Sequence, residues 1–317
     1  MYTAQRTLAR ALIAVLFTAF AVLPAGAADL IKVRAAALPI VDTAPFFAAL
    51  QQGYFTEQGL DVTISPEYTG TVGLGGAVGG SYDIVYTNVP SVLLGIQQGL
   101  DLRFISLASS MGPPDVTALV VRKGENLKTA KDFNGKTIGI NGLKSLQWMV
   151  MRGWLKAGGA DLDSVTLRDV PFPQMTDALK TKQVDGVFAI EPFLSADLLD
   201  PTLEVAAHPF DVIKGVRPAG WVVTGDYATK HPDAIKKFMV ALAKGAAWVN
   251  ANRGKDAFVK LVAGYTKMDP ARVEAMRTTP ALTAPDPNEL RRLAGLMKDT
   301  GLLDATYDPG TKIYVAK

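Results

Sequence analysis

Apolar residues recur along this chain in two alternating rhythms. Short runs rich in β-branched residues predict strands at 31–37, 61–65, 83–86, 102–108, 118–122, 136–140, 165–169 and 185–189. Between many of them the apolar positions return every three to four residues, which predicts helices over 45–52, 72–78, 90–98, 146–157 and 175–181. Phe46, Phe47 and Leu50 share one face of the first helix. Gly53 and Gly59 supply stop signals, and Asp61-Val62-Thr63-Ile64 resumes the strand rhythm. Such alternation argues for an α/β architecture with largely parallel strands. A short strand is expected at 221–224. From 232 to about 303 the pattern is mostly helical, punctuated by Pro270, Pro280, Pro285 and Pro287.

The pattern also hints at two halves of similar build. Gly80-Ser81-Tyr82-Asp83 precedes one short apolar strand and Lys182-Gln183-Val184-Asp185 precedes another, each placing an aspartate at the strand's start. Two irregular stretches, 111–114 and 209–218, read as chain crossings between lobes. The expected division is a signal peptide at 1–27, a first lobe made of 28–120 and 218–317, and a second lobe at 121–217, with the two crossings forming a hinge.

The first 27 residues change the picture of where the protein works. Arg6 and Arg10 form a positive start, 11–23 is apolar except for Thr18, and Ala25-Gly26-Ala27 fits a small-x-small cleavage site. The apolar run is shorter than the roughly 20 residues a bilayer span requires. The expected location is therefore the periplasm, with the leader cleaved near Ala27. The chain has no cysteine, which excludes disulfides, thiolate nucleophiles, cysteine–zinc sites and a lipidated cysteine after the leader. With 33 Lys+Arg against 30 Asp+Glu, and both leader charges basic, the balance gives no electrostatic footprint for nucleic acid. A monomer without cofactor or metal is expected.

Open α/β sheets bind ligands outside the carboxyl ends of their strands. That rule nominates Asp42 and Thr43 after the first strand, Thr69 and Thr71 after the second, Thr87 and Asn88 after the third, and Ser109 after the fourth. In the second half it nominates Asn141, Lys144 and Ser145, then Gln174 and Glu191. Ser145 is a candidate N-cap for the helix at 146, and Thr71 for the helix at 72. Helix starts offer free N–H groups to an anion, so two of them facing one cleft favour an anionic group on the ligand. Glu191 either accepts a hydrogen bond from a ligand amine or ring N–H or caps the next helix. Trp221 is a candidate flat apolar wall, with core packing as the alternative. The glycine-rich run 73–80 does not fit G-x-G-x-x-G, because Val78 stands where the third glycine belongs. Catalysis finds little support: His208 and His231 each precede a proline, and no Ser-His-Asp order or paired histidine ligands stand out.

The stretch from Pro45 to Val62 resembles the substrate-binding proteins of ABC importers for nitrate, sulfonate, taurine and thiamine-pyrimidine-type solutes, which carry P-x-F-x-A-x-x-x-G-Y/F-F-x-x-x-G-L-D-V. The likeness continues through Tyr82-Asp83-Ile84, through 132–139 (DFNGKTIG), through Val184-Asp185-Gly186 with Glu191-Pro192, and through 227–232 (YATKHP). The resemblance implies a two-lobed, periplasmic-binding-protein type II fold that closes on its ligand. It further implies delivery of a small-molecule solute to an ABC permease and its ATPase, and a ligand such as a sulfonate-like organic anion or zwitterion. The alternatives are a pyrimidine or other heterocycle receptor on the same fold, an enzyme of the thiamine-pyrimidine-synthase type, or a ligand-sensing partner of a membrane receptor. Enzymes of that type use cysteine and histidine clusters, and this chain has no cysteine.

Overall fold

The computed structural model describes residues 29–108, 116–213, 217–304 and 307–315; the expected leader, Ser109 and the 111–114 crossing lie outside them. The first half builds β1 (Ile31–Ala37), α1 (Ala44–Gln51), α2 (Tyr54–Glu57), β2 (Leu60–Pro66), α3 (Gly70–Val78), β3 (Ile84–Asn88), α4 (Val89–Gln97) and β4 (Leu102–Leu107). The middle builds β5 (Thr117–Arg122), β6 (Thr137–Ile140), α5 (Leu146–Ala157), β7 (Thr166–Asp169), α6 (Phe172–Lys180), β8 (Gly186–Ile190), α7 (Phe193–Leu198) and β9 (Leu203–Ala207). Then come β10 (Ala219–Thr224), α8 (Gly225–Lys230), α9 (Pro232–Asn252), α10 (Asp256–Thr266), α11 (Pro270–Glu274) and α12 (Pro287–Asp299).

These elements form two five-stranded sheets, ordered β2-β1-β3-β10-β4 and β7-β6-β8-β5-β9. Each is the hub of one lobe, and the orders are equivalent strand for strand. The first three strands of each lobe pair in parallel. The expectation of largely parallel strands needs one correction per sheet. β10 runs antiparallel to β3 and β4, and β5 runs antiparallel to β8 and β9. In both cases the reversed strand is the one that has just crossed from the other lobe, so its direction follows from the connection rather than from its residues. The break expected between 120 and 121 falls inside β5, which pairs in the second sheet from Thr117 onward. β9 was not foreseen: LEVAA carries little β propensity and lies at a half-buried edge.

The repeated aspartates have one structural job. Asp83 Oδ2 accepts the Arg34 N–H of β1 at 2.7 Å, and Asp83 N–H returns a bond to Arg34 O at 2.8 Å. Asp185 Oδ2 accepts the Thr137 N–H of β6 at 2.8 Å, and its N–H returns to Thr137 O at 2.7 Å. Each aspartate thereby sets the register at which the third strand of its lobe joins the first.

Phe46 of α1 is fully buried, with its ring 4.8–6.0 Å from those of Phe47, Phe55, Trp221 and Phe238. α9 crosses α1 at Gly245, where a Cβ would lie 2.0 Å from Pro45 O; no larger residue permits that approach. Among the described residues no helix is long and apolar enough to cross a membrane.

Candidate functional site

A cavity lies between the two sheets, at the carboxyl ends of β1, β3, β6 and β8. The first lobe contributes Leu38, Ile40 and Asp42 after β1, Gly70 at the start of α3, and Tyr86 and Asn88 at the end of β3. The second contributes Asn141 after β6, Ser145 to Gln147 at the start of α5, Phe172 at the start of α6 and Ile190 at the end of β8. Thr117, Phe210, Pro218 and Ala219 close it on the side of the crossings. The room inside is about 60 Å³, enough to admit water or a small solute group. The lobes touch beside it: Asn141 Nδ2 donates to Tyr68 O at 2.6 Å, and Val41 N–H donates to Glu191 O at 3.1 Å.

Of the residues nominated from sequence, Asp42, Asn88, Asn141 and Ser145 line this cavity. Ser145 caps α5 as expected: its Oγ accepts the Trp148 N–H at 3.4 Å and donates to Asn141 O at 2.9 Å. Asn88 Oδ1 caps α4 through the Ser91 N–H at 3.0 Å. α3 begins earlier than its apolar pattern suggested, so its N-cap is Thr69, and Thr71 sits inside the first turn with its hydroxyl 3.4 Å from Thr69 Oγ1. Thr71 and Lys144 border a separate depression between α3 and α4, and Gln174 borders another beside β7 and α6.

Among the described residues, Thr43, Thr69, Thr87, Glu191 and Trp221 are not part of the cavity lining. Thr87 alternates with Tyr86 and Asn88 along β3, so it points to the opposite side, where its Oγ1 donates to Gly70 O at 2.8 Å. Thr43 Oγ1 is shared between Leu38 O at 2.7 Å and Ile40 O at 2.8 Å, which ties the 38–43 loop to itself. Trp221 is core, tilted against Phe46 at 4.8 Å and edge-on to Tyr86 at 5.5 Å. Glu191 is fully buried and caps the next helix, the second of its two sequence readings. Its Oε2 accepts the Ser195 N–H, and its Oε1 accepts Ser195 Oγ and the Arg277 N–H.

Several lining residues carried no sequence signal beyond their place at strand ends. Gln147 joins three elements: Oε1 accepts the Asn141 N–H at 2.7 Å, and Nε2 donates to Phe188 O at 2.9 Å. Tyr265 of α10 acts from behind, donating to Ile40 O at 2.9 Å while its ring stacks on Phe47 at 4.0 Å. Only the fold brings α10 beneath the 38–43 loop.

The polar lining of the cavity is of two kinds, a carboxyl group and helix starts. Asp42 is the one charged side chain among its described lining residues. Tyr86 Oη donates to Asp42 Oδ2 at 3.3 Å. Burial, and then the Asp42 charge, push the Tyr86 hydroxyl well above its usual range, so it stays protonated and remains a donor. The helix starts in the lining are Gly70 of α3 and Ser145-Leu146 of α5, where free N–H groups carry partial positive charge. Apolar and aromatic side chains make up much of the remaining lining. The arrangement can hold and orient a small polar molecule. Among the described residues no group of three or more His, Asp or Glu could hold a metal ion.

Comparison with known proteins agrees with this architecture. The riboflavin-binding protein RibY of Chloroflexus aurantiacus is 25% identical over 220 residues, covering 68% of this chain and 61% of RibY. The nitrate/nitrite binding protein NrtA of a Nostoc species is 23% identical over 250 residues, covering 73% of this chain and 56% of NrtA. The chain thus spans about three fifths of the length of these curated relatives. The alkanesulfonate-binding protein SsuA of Xanthomonas axonopodis pv. citri, solved with MOPS bound, superposes with a TM-score of 0.77 at 18% identity, covering 90% of this chain and 99% of SsuA. That likeness shows the two-lobed, periplasmic-binding-protein type II fold. The family described as NMT1/THI5 like matches residues 40–255, more than half of the sequence, and the chain belongs to that family.

Proposed function

We propose that this protein is the solute receptor of an ABC importer, exported by the 1–27 leader and working outside the cytoplasm. It captures a small molecule between its lobes and presents it to a membrane permease driven by an ATPase. Lobe 1 comprises 28–116 and 218–317, lobe 2 comprises 117–217, and the two crossings are the hinge. The ligand favours the closed form because only there do both walls touch it.

One feature carries the ligand assignment: Asp42 and the starts of α3 and α5 line the same small cavity. The Asp42 carboxyl group already accepts the Tyr86 hydroxyl, and its acceptor oxygens suit a donor on the ligand. Helix-start N–H groups are donors, so the atom facing them must be an acceptor. The solute is therefore dipolar, either a compact zwitterion or a small heterocycle such as an aminopyrimidine. The apolar walls suit a flat or aliphatic body. A bare anion with no N–H satisfies the helix starts and sets an acceptor against Asp42, so the sulfonate-like reading narrows to sulfonates that also carry an amine.

A thermal-shift panel tests the assignment. A true ligand at about 100 times its Kd adds roughly 2.7 kcal/mol of stability. Taurine, β-alanine and 4-amino-2-methylpyrimidines are expected to contain the ligand that raises the melting temperature. A panel in which nitrate, bicarbonate and methanesulfonate stabilise the protein while every N–H-bearing solute is inert would refute the dipolar assignment.

A further inference from the structure

Residues 275–286, between α11 and α12, form almost no regular structure, yet their backbone is tied at both ends. At the near end the Ser195 hydroxyl hydrogen is shared between Glu191 Oε1 at 2.8 Å and Ala275 O at 3.1 Å, and Arg277 N–H donates to Glu191 Oε1 at 3.1 Å; Ser195 and Glu191 belong to the second lobe. At the far end Asn250 of α9 brackets Ala281, accepting its N–H at 2.8 Å and donating to its O at 3.0 Å. α9 packs on α1, so this end belongs to the first lobe. Arg217, at the second crossing, donates to Ala284 O at 2.5 Å. The segment is thus a third strap between the lobes, beside the two crossings that sequence reading identified.

Glu191 is where the strap meets the cavity wall. Its side chain holds the Ser195 and Arg277 groups, and its backbone O accepts the Val41 N–H from the first-lobe loop that carries Ile40 and Asp42. The spacing from Arg277 to Ala281 limits how far the lobes can part. Four residues span at most about 14 Å fully extended, at roughly 3.5 Å each. Opening beyond what that slack allows requires the strap to leave Glu191 or Asn250.

We infer that Glu191, with Ser195, is a latch: a positioning pair that holds the strap and the 38–43 loop against the second lobe and so sets the balance between closed and open forms. The inference rests on the reading that the interlobe cavity is the binding site. Its test uses no ligand, so its failure and the failure of that reading are distinguishable. A latch acts on affinity through the closed population and weakens every ligand by the same factor, whereas a contact residue changes their rank order.

The chain has no cysteine, so Val78→Cys at the end of α3 and Lys156→Cys near the end of α5 give two unique spin-label sites, one per lobe and both exposed. Pulsed electron resonance on the ligand-free full chain reads the distance between them. Glu191→Gln, which puts an amide donor among donors, is expected to shift population from the shorter to the longer distance by a ratio on the order of tenfold, about one charge-assisted hydrogen bond. Ser195→Ala should shift it in the same direction by less, with cooperative melting retained in both. Distance distributions identical to the parent in both variants would overturn the latch. So would loss of cooperative folding in both, which would make Glu191 a support of the second lobe alone.

Discussion

Asp197→Asn should stabilise this protein, and the gain should depend on pH. Asp197 lies in α7 at 1% exposure. Thr176 Oγ1 donates to its Oδ1 at 2.5 Å, while its Oδ2 is buried without a hydrogen bond. Burial pushes the carboxyl up to about 6, with the Thr176 bond and the Arg272 charge pulling the other way. Between the ordinary 3.8 and about 6 the folded chain holds a proton that the unfolded chain has released, so stability falls as pH rises across that window. At 1.36 kcal/mol per pH unit, a rise from 3.8 to about 6 amounts to a cost of about 3 kcal/mol at pH 7 and above. Asparagine keeps the acceptor for Thr176 and carries no charge, but it buries an amide donor in place of Oδ2, a loss of about 1 kcal/mol. The net gain should be about 2 kcal/mol at pH 8, pass through zero as the pH falls, and become a loss of about 1 kcal/mol near pH 4. Urea unfolding of parent and variant at half-unit steps from pH 4 to 8 measures it. A gap that is constant with pH, or a variant less stable at pH 8, would refute the argument that Asp197 is ionised at a cost.

Gly245→Ala puts a Cβ 2.0 Å from Pro45 O and should destabilise by about 1–3 kcal/mol as α9 is pushed off α1; a melting temperature equal to the parent's would show that the helices slide apart freely. Ser145→Ala removes the α5 cap, at about 1 kcal/mol of stability, and should also weaken ligand capture; stability loss with unchanged affinity would take Ser145 out of the site. Phe46→Ala empties the centre of the aromatic cluster and should cost about 3–5 kcal/mol in denaturant unfolding, whereas a loss below 1 kcal/mol would mean the cluster repacks.

The differences between sequence and structure have physical causes. α5 runs from 146 to 157 as its pattern predicts, because Ser145, an apolar stripe and Gly158 all mark the same helix. Thr87 and Asn88 were nominated together, although neighbours in a strand point to opposite faces and only one of them could reach the cavity. Glu191 emerges at a strand end as expected, but its partners Ser195 and Arg277 come from a helix and from a strap 86 residues away, which no local pattern encodes. The strap has no periodicity to read, since its backbone is satisfied by Asn250, Arg217 and Ser195 side chains instead of a ladder. Of the two readings open for Trp221, a flat wall for a ligand or core, the enclosing rings of Phe46, Tyr86 and Phe238 support core. Strand ends can be located from sequence; which side chain faces inward there is decided by register and by elements far along the chain.

The central claim is that Asp42 accepts a hydrogen bond from a dipolar ligand between the lobes. Calorimetric titration of the parent and of Asp42→Asn with the N–H-bearing solute that raises the melting temperature tests it most directly. The account predicts binding to the parent and a loss on the order of tenfold to a hundredfold in the variant, the scale of one charged hydrogen bond. Equal affinity in parent and variant would contradict it.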